Sequence, residues 1–100
     1  MSLHEPSVFV GAWALEDWRI EYPDGRVTRP FGEGASGYIL YAENGVMSAS
    51  ISAADRRRLG IANARLASAE EKARSFDSYF HYAGHWRVDG DHVVHDVTMA

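Results

Sequence analysis

Residues 37–52 read GYILYAENGVMSASIS, two apolar runs joined by Asn44 and Gly45. The pair Asn-Gly is a strong signal for a two-residue β-hairpin, because both central residues of a type I′ turn take a positive φ and these two residue types tolerate it best. The stretch therefore predicts a hairpin with a type I′ turn. An antiparallel sheet becomes the expected scaffold of the chain.

The composition is typical of a small globular domain. The chain has 100 residues, of which 46% are hydrophobic and 12% aromatic, so residues 1–100 are predicted to form one domain. The net charge of −4 argues against a general nucleic-acid-binding protein, which needs a positive surface. The chain has no cysteine, which excludes a disulfide framework and a cysteine-based zinc site.

The hydropathy pattern argues against a membrane protein. No apolar run approaches the roughly 20 residues of a membrane span. The N-terminal sequence MSLHEPS lacks the basic and then apolar plan of a signal peptide. We therefore expect a cytoplasmic protein without a membrane partner.

The chain before the hairpin predicts a strand, a turn and a second strand. Val8 to Tyr22 reads as a long strand whose inward face changes near Glu16 and Asp17, which indicates a bend or bulge. Residues 23–25, Pro-Asp-Gly, are typical of a tight turn. Residues 26–29 are then expected to pair back on the first strand.

A glycine-rich corner precedes the hairpin. Gly32, Gly34 and Gly37 match the spacing of the dinucleotide fingerprint. That fingerprint binds phosphate because a helix follows it and directs its amide groups at the ligand. Residues 38–42 predict a strand instead, so the motif is interpreted as a flexible corner. No cofactor is predicted.

Two segments of different character follow the hairpin. Residues 53–67 are rich in arginine and form either a solvated loop or short helix, or a flap over the barrel mouth whose arginines attract a ligand carboxylate. Ser68 to Tyr82 predicts an α-helix, because Ser68 and Glu71 form a capping box. Its apolar stripe consists of Ala69, Ala73, Phe76 and Phe80.

Two more strands complete the predicted fold. Gly84 to Val88 reads as a strand, Asp89 and Gly90 as a tight turn, and Asp91 to Met99 as an alternating strand. The chain thus predicts a mainly β protein of about six strands, an antiparallel barrel or half-barrel, with one helix over residues 68–82.

Several short motifs occur in a fixed order along the chain. They are Gly11-x-Trp13, Asp24-Gly25-Arg26-Val27, Pro30-Phe31-Gly32, Gly37-Tyr38-Ile39-Leu40-Tyr41, Asn44-Gly45-x-Met47-Ser48, Phe76-x-x-Tyr79 and Tyr82-Ala83-Gly84. Their order and spacing, from about Val10 to Thr98, resemble the bacterial lipocalin-like domain family. The resemblance implies a calycin-type barrel that holds a small apolar molecule, with Trp13 packed across its base.

A hydrophobic-ligand-binding module is the function that this resemblance implies. The side chains expected to contact the ligand are Trp13, Leu15, Tyr41, Met47, Phe76, Tyr79 and Trp86. One alternative is an isomerase or cyclase that acts on a hydrophobic metabolite, with Asp17 or His95 as the proton carrier. Another is a structural domain that has a filled core and serves only to form a dimer. No catalytic motif is visible, which favours binding.

The late histidines do not predict a metal site. His81, His85, His92 and His95 are not spaced so that three or four ligands must converge on one point. They are interpreted as surface or hydrogen-bonded side chains, and only His95, among apolar neighbours, is expected to face inward.

The C-terminal strand is expected to lie at an open edge. Lipocalin barrels use about eight strands, and about six are predicted here. Residues 91–99 are rich in valine, and an exposed strand of this kind tends to pair with another chain. The sequence therefore predicts a homodimer through strand 91–99.

Overall fold

The structure is a computed structural model that describes residues 5–100. Met1 to His4, which begin the stretch interpreted as lacking a signal peptide, lie outside the described residues. Short 3-10 turns occupy Pro6–Val8 and Ala64–Leu66. The other elements are β1 Gly11–Ala14, β2 Ile20–Glu21, β3 Val27–Thr28, β4 Ser36–Tyr41, β5 Val46–Ser52, α1 Ala69–Asp77, β6 Tyr79–Asp89 and β7 His92–Met99.

The predicted mainly β class is confirmed, with seven strands over residues 5–100 rather than six. Five strands form one sheet in the order β1-β4-β5-β6-β7, while β2 and β3 form a separate two-stranded ribbon. Strands β1 and β7 are the two edges of the larger sheet. The sheet is therefore not closed into a barrel, which agrees with the half-barrel alternative and not with the closed one.

The chain divides into two compact units. The first contains the described residues up to Ala14, Gly37–Ser50 and His81–Ala100, and the second contains Leu15–Ser36 and Ile51–Phe80. Most of the five-stranded sheet lies in the first unit. That residues 1–100 form a single domain stays a prediction.

The hairpin of β4 and β5 is confirmed, but its predicted turn type is wrong. Among residues 5–100 only glycines have a positive φ, and in this turn that residue is Gly45, at 90°. The amide of Gly45 donates to the carbonyl of Ala42 at 3.1 Å. The Asn44 side chain accepts from the amide of Val46 at 3.1 Å. Asn44 does not have the positive φ that a type I′ turn needs at both central residues.

The long strand predicted over Val8 to Tyr22 is wrong, because the chain is interrupted where only a bend or bulge was expected. Val8 belongs to a 3-10 turn, and the two halves form β1 and β2 in different sheets. Strand β1 ends at Ala14 and β2 begins at Ile20. The turn that follows β2 has Gly25 at a φ of 90°, and β3 pairs antiparallel with β2, as predicted, through Ile20 with Thr28. A strand, β4, follows the glycine-rich corner, so those glycines do not open a helix.

Helix α1 begins as predicted and ends earlier. The Ser68 hydroxyl accepts from the amide of Glu71 at 3.1 Å, so Ser68 is the N-cap. The helix ends at Asp77 rather than at Tyr82. Residues 79–82 belong to β6, because aromatic side chains suit a pleated surface. The predicted C-terminal end of the helix is therefore wrong, because residues 79–82 form the start of a strand.

The predicted apolar stripe of the helix is not buried. Phe76 is 82% exposed, and none of the helical residues is buried. Phe80, assigned to the stripe by helical spacing, lies on β6 instead. Its ring stacks with that of Trp18 at 5.7 Å within the second unit.

The hydrophobic core of the first unit lies on one face of the five-stranded sheet, which we call the core face. Its buried residues are Tyr41, Met47, Ala49 and Trp86, and the partly buried residues packed against them are Phe9, Ile39, Tyr82, Val88 and Val93. Strands β6 and β7 pair Trp86 with His95 and Val88 with Val93. Because directly opposed residues share a face, His95 also lies on the core face.

Candidate functional site

A half-buried histidine on the core face connects two tyrosines. The Tyr41 hydroxyl, from β4, lies 2.6 Å from Nε2 of His95. The Tyr82 hydroxyl, from β6, lies 2.9 Å from Nδ1 of the same ring. We call these three residues the Tyr–His–Tyr chain, and all of them belong to the first unit.

Both nitrogens of the His95 ring are engaged. A neutral imidazole has one N–H donor and one acceptor nitrogen, so His95 donates to one tyrosine hydroxyl and accepts from the other. The two bonds fix the plane of the ring. They do not determine the tautomer of His95, which depends on the groups around the two tyrosines.

Burial keeps the three groups uncharged at neutral pH. It raises the pKa of Tyr41 to about 12, with a further contribution from Tyr82. It also raises the pKa of the Tyr82 hydroxyl and lowers the pKa of His95 below 6.5. Each shift disfavours the charged form, so the chain consists of neutral donors and acceptors.

The surroundings of the Tyr–His–Tyr chain are apolar and aromatic. The Trp86 ring lies 5.0 Å from the ring of Tyr41. The indole Nε1 of Trp86 donates to the carbonyl of Ala42 at 2.9 Å, so its ring faces this region as an apolar surface. Met47, fully buried, packs in the same cluster.

Apolar side chains remain exposed at both edges of the core face. On β1, Trp13 pairs with Ile39 and is 45% exposed. Its Nε1 donates to the carbonyl of Phe9 at 2.7 Å. On β7, Val97 pairs with Gly84 and is 51% exposed. The predicted enclosure of Trp13 at the base of a closed barrel is therefore wrong.

The structure brings together some of the predicted ligand contacts. Tyr41, Met47 and Trp86 form one cluster, and Trp13 lies at the β1 edge of the same unit. The other three predicted contacts, Leu15, Phe76 and Tyr79, belong to the second unit. There Leu15 is partly buried, and the guanidinium of Arg56 lies over the exposed Tyr79 ring at 4.8 Å. The contact set as a whole stays a prediction.

Asp17 lies in an exposed ion-pair cluster of the second unit. Its carboxylate contacts Arg29 at 3.1 Å and Arg19 at 2.8 Å. Hydrogen bonds from Arg29 and then Arg19 lower its pKa below 3.8. The argument for Asp17 as a proton carrier assumed an apolar environment that raises the pKa. That assumption is wrong.

Tyr82 is the member of the chain that the sequence argument missed. The predicted helix assigned it to a helical turn, whereas it lies on β6. A signal for its position exists in the sequence: Phe80, Tyr82, Gly84, Trp86 and Val88 alternate at a period of two. This alternation is the pattern of a strand with one buried face.

The other late histidines have different environments. His81 contacts the Ser50 hydroxyl at 3.0 Å, and His92 contacts the carboxylate of Asp91 at 2.6 Å. His85 is exposed. Within the part of the chain that the structure describes, no group of three or more His, Asp or Glu side chains is placed to hold a metal ion.

Comparison with known proteins identifies the family. A family model described as a lipocalin-like domain matches residues 10–100. The chain belongs to the lipocalin-like domain family. The resemblance predicted from the motifs of this lipocalin-like domain is confirmed. Searches of curated proteins and of solved structures each return no match. Over residues 5–100, no helix of the domain has the length and apolar character needed to cross a membrane.

Proposed function

We propose that this lipocalin-like domain binds a small hydrophobic molecule that carries a hydroxyl group, on the core face beside Tyr41. Membership of the family supports a ligand-binding role. The observation that carries the proposal is the Tyr–His–Tyr chain, whose uncharged polar groups are buried or partly buried on a face that is otherwise apolar. Such a surface suits an apolar ligand with one polar group that fixes its orientation.

Tyr41 is the residue expected to contact the hydroxyl of the ligand. A tyrosine hydroxyl can donate one hydrogen bond and accept others. Among the described residues, the Tyr41 hydroxyl makes one hydrogen bond, with His95. A ligand hydroxyl both donates and accepts, so it matches the remaining capacity of Tyr41 in either tautomer of His95.

The exposed apolar edges supply the hydrophobic part of the site. Trp13 and Val97 lie on strands that have a neighbour on one side only, and both are about half exposed. A bound apolar molecule would cover such surface and remove it from water, at about 25 cal/mol for each Å².

A displacement assay tests the proposal. The neutral fluorescent probe N-phenylnaphthylamine should bind to the wild-type protein with increased emission. Naphthol should displace the probe about tenfold more effectively than naphthalene, because one hydrogen bond distinguishes the two competitors. The Tyr41→Phe variant should bind the probe and lose the preference for naphthol.

The control for this assay is Tyr38→Phe. Tyr38 is also on β4 but is exposed, and its position in the strand places it on the opposite face from Ile39 and Tyr41. Tyr38→Phe should keep the wild-type preference. Absence of probe binding, or equal preferences in the two variants, would contradict the proposed site.

An isomerase or cyclase acting on the same hydrophobic molecule is a second candidate. It is favoured by His95, whose lowered pKa keeps the imidazole neutral, which is the form that can act as a proton acceptor. The test is native mass spectrometry of protein purified from its own host, followed by incubation with the molecule that is retained. Turnover that His95→Asn abolishes would support an enzyme with His95 as the proton carrier. Turnover that survives both His95→Asn and Asp17→Asn would exclude these two residues as proton carriers, and the absence of turnover by the wild-type protein would contradict the enzyme candidate.

We also propose that the domain forms a homodimer through β7. Strand β7 is an edge of the sheet, and its exposed apolar residues Val97 and Met99 suit pairing with the same strand of a second copy. If no ligand binds, this dimer is itself the remaining candidate function. The cytoplasmic location likewise stays a prediction.

A further inference from the structure

A cavity of about 410 Å³ lies in the second unit. The segment 55–60 and helix α1 contribute its walls, and its charged lining residues are Asp55, Arg56, Arg57, Arg58, Glu71 and Arg74. Four cationic and two anionic side chains give the lining a positive balance. The volume lies within the range of about 300 to 1,000 Å³ that is usual for small-molecule sites.

Arg56 holds the cavity wall in place. Its guanidinium donates to the carbonyl of Ser75, to the hydroxyl of Ser75 at 2.9 Å and to the hydroxyl of Ser78 at 3.0 Å. These groups lie at the C-terminal end of α1, where a cation is also favoured by the helix dipole. Arg56 therefore connects the segment to the helix, and its hydrogen-bonding capacity is largely used within the protein.

The other three arginines of the cavity are exposed. Within residues 5–100, none of Arg57, Arg58 and Arg74 forms a salt bridge. All three line the same cavity. Unpaired guanidinium groups gathered around one space suit an anion, because each group can form two parallel charge-assisted hydrogen bonds to a carboxylate or phosphate.

A second observation at the same cavity indicates a hydrogen-bond donor in the ligand. Oε2 of Glu71 is buried and has no hydrogen-bond partner among the described residues. Burial of a carboxylate oxygen without a donor is costly, and such an atom is usually satisfied by a water or a ligand. Because Glu71 also lines the cavity, a ligand placed there could donate to it.

We propose that this cavity binds a small, multiply charged carboxylate that also carries a hydroxyl group. The carboxylates contact Arg57, Arg58 and Arg74, and the hydroxyl donates to Oε2 of Glu71. The proposal goes beyond the hydrophobic-ligand function, because it concerns other residues, in the second unit, and ligand chemistry of opposite polarity.

Calorimetric titration with citrate and tricarballylate tests this proposal. Both compounds carry three carboxylates, and only citrate has a hydroxyl. The wild-type protein should bind citrate about tenfold more tightly than tricarballylate, which is the effect expected of one hydrogen bond to a charged acceptor. In Glu71→Ala the two affinities should become equal, with no loss of affinity for tricarballylate.

Arginine variants test the other half of the site. Arg58→Ala and Arg74→Ala should each weaken the binding of both ligands. The double variant should bind both about tenfold more weakly than the wild-type protein. The matched control is Arg65→Ala, because Arg65 is also exposed in the second unit but does not line the cavity. Circular dichroism of each variant verifies that it is folded.

Three outcomes of the citrate and variant titrations would overturn the proposal. They are the absence of citrate binding to the wild-type protein, equal wild-type affinities for citrate and tricarballylate, and an effect of Arg65→Ala as large as that of Arg74→Ala. The wild-type ratio of affinities needs no variant, so the result stands even if Glu71→Ala does not fold.

Inorganic phosphate in a parallel titration should bind more weakly than citrate, because it has fewer charges to share among the arginines. Phosphate binding tighter than citrate binding would also overturn the proposed carboxylate class.

Discussion

Gly84 controls how closely β6 and β7 approach each other. A Cβ atom added at this position would meet the carbonyl oxygen of Asp96 and would lie 2.9 Å from the Cα of Val97. Both obstacles belong to the backbone of β7, which cannot move aside as a flexible side chain can. The register of the two strands also shifts between Ala83 and Gly84. Glycine is therefore required at this bulge by space, not by an unusual φ.

We expect Gly84→Ala to destabilise the protein by about 1 to 3 kcal/mol, the usual cost of overpacking a tight position. The free energy of unfolding in urea measures this change. Gly60→Ala is the control, because no atom lies within 4 Å of a Cβ added there. Similar stabilities for the two variants would contradict the close approach of β7 at Gly84.

The burial of His95 predicts a pH dependence of stability. Burial lowers its pKa in the folded state below 6.5, so the unfolded chain binds this proton more readily. Protonation therefore favours unfolding, and the contribution of His95 to the free energy of unfolding should rise with pH through the region of the unfolded pKa.

Urea unfolding at about pH 5 and about pH 8 measures this effect. Between these values the wild-type protein should gain more stability than the His95→Gln variant, because only the wild-type protein has the buried imidazole. Equal gains in the two proteins would show that the His95 ring is not buried as described.

Local signals in the sequence were sufficient to predict the environment of some residues and not of others. The inward positions of Tyr41 and His95 could be predicted. Tyr82 was missed, because the helical spacing of Phe76 and Phe80 extended the predicted helix over it and competed with its alternating spacing from Trp86. The environment of Asp17 depends on Arg29, and the sequence does not reveal this contact between residues twelve positions apart.

At the scale of elements, the residue at which an element begins was more predictable than the residue at which it ends. The Ser68 cap fixes the start of α1, and a cap is a local property of the sequence. The end of α1 is set where the chain enters β6, whose pairing involves distant residues. Likewise Asn44 and Gly45 locate the hairpin but do not by themselves set the turn type, because Asn44 has a negative φ where a type I′ turn needs a positive one.

The edge position of β7 leads to a prediction about association. Met99→Lys should abolish the proposed dimer, because Met99 is 66% exposed on this strand and a charge there opposes pairing of edges. Leu66→Lys is the control, since Leu66 is similarly exposed, at 70%, and lies outside every strand. Size-exclusion chromatography with light scattering should give the dimer mass for the wild-type and control proteins only. A monomeric wild-type protein would contradict the dimer, and a dimeric Met99→Lys variant would contradict its location.

At the scale of the whole molecule, the fold class was predictable and the division of the chain was not. Apolar alternation shows which residues of a strand share a face, and it does not show which strands are neighbours. The predicted ligand contacts were therefore chosen by face, and the structure distributes them over two units. Trp13 is about half exposed because its strand β1 is an edge, a property set by the whole sheet.

The central claim is that an apolar ligand with a hydroxyl group binds the core face beside the Tyr–His–Tyr chain. The most direct measurement is an NMR titration of the imidazole nitrogen signals with naphthol. The signals of His95 should shift as naphthol binds, because the hydroxyl contacts Tyr41, its partner. The signals of His85, which is exposed on the other face, should stay unchanged. Naphthol binding that leaves the His95 signals in place, or no binding at all, would contradict the account.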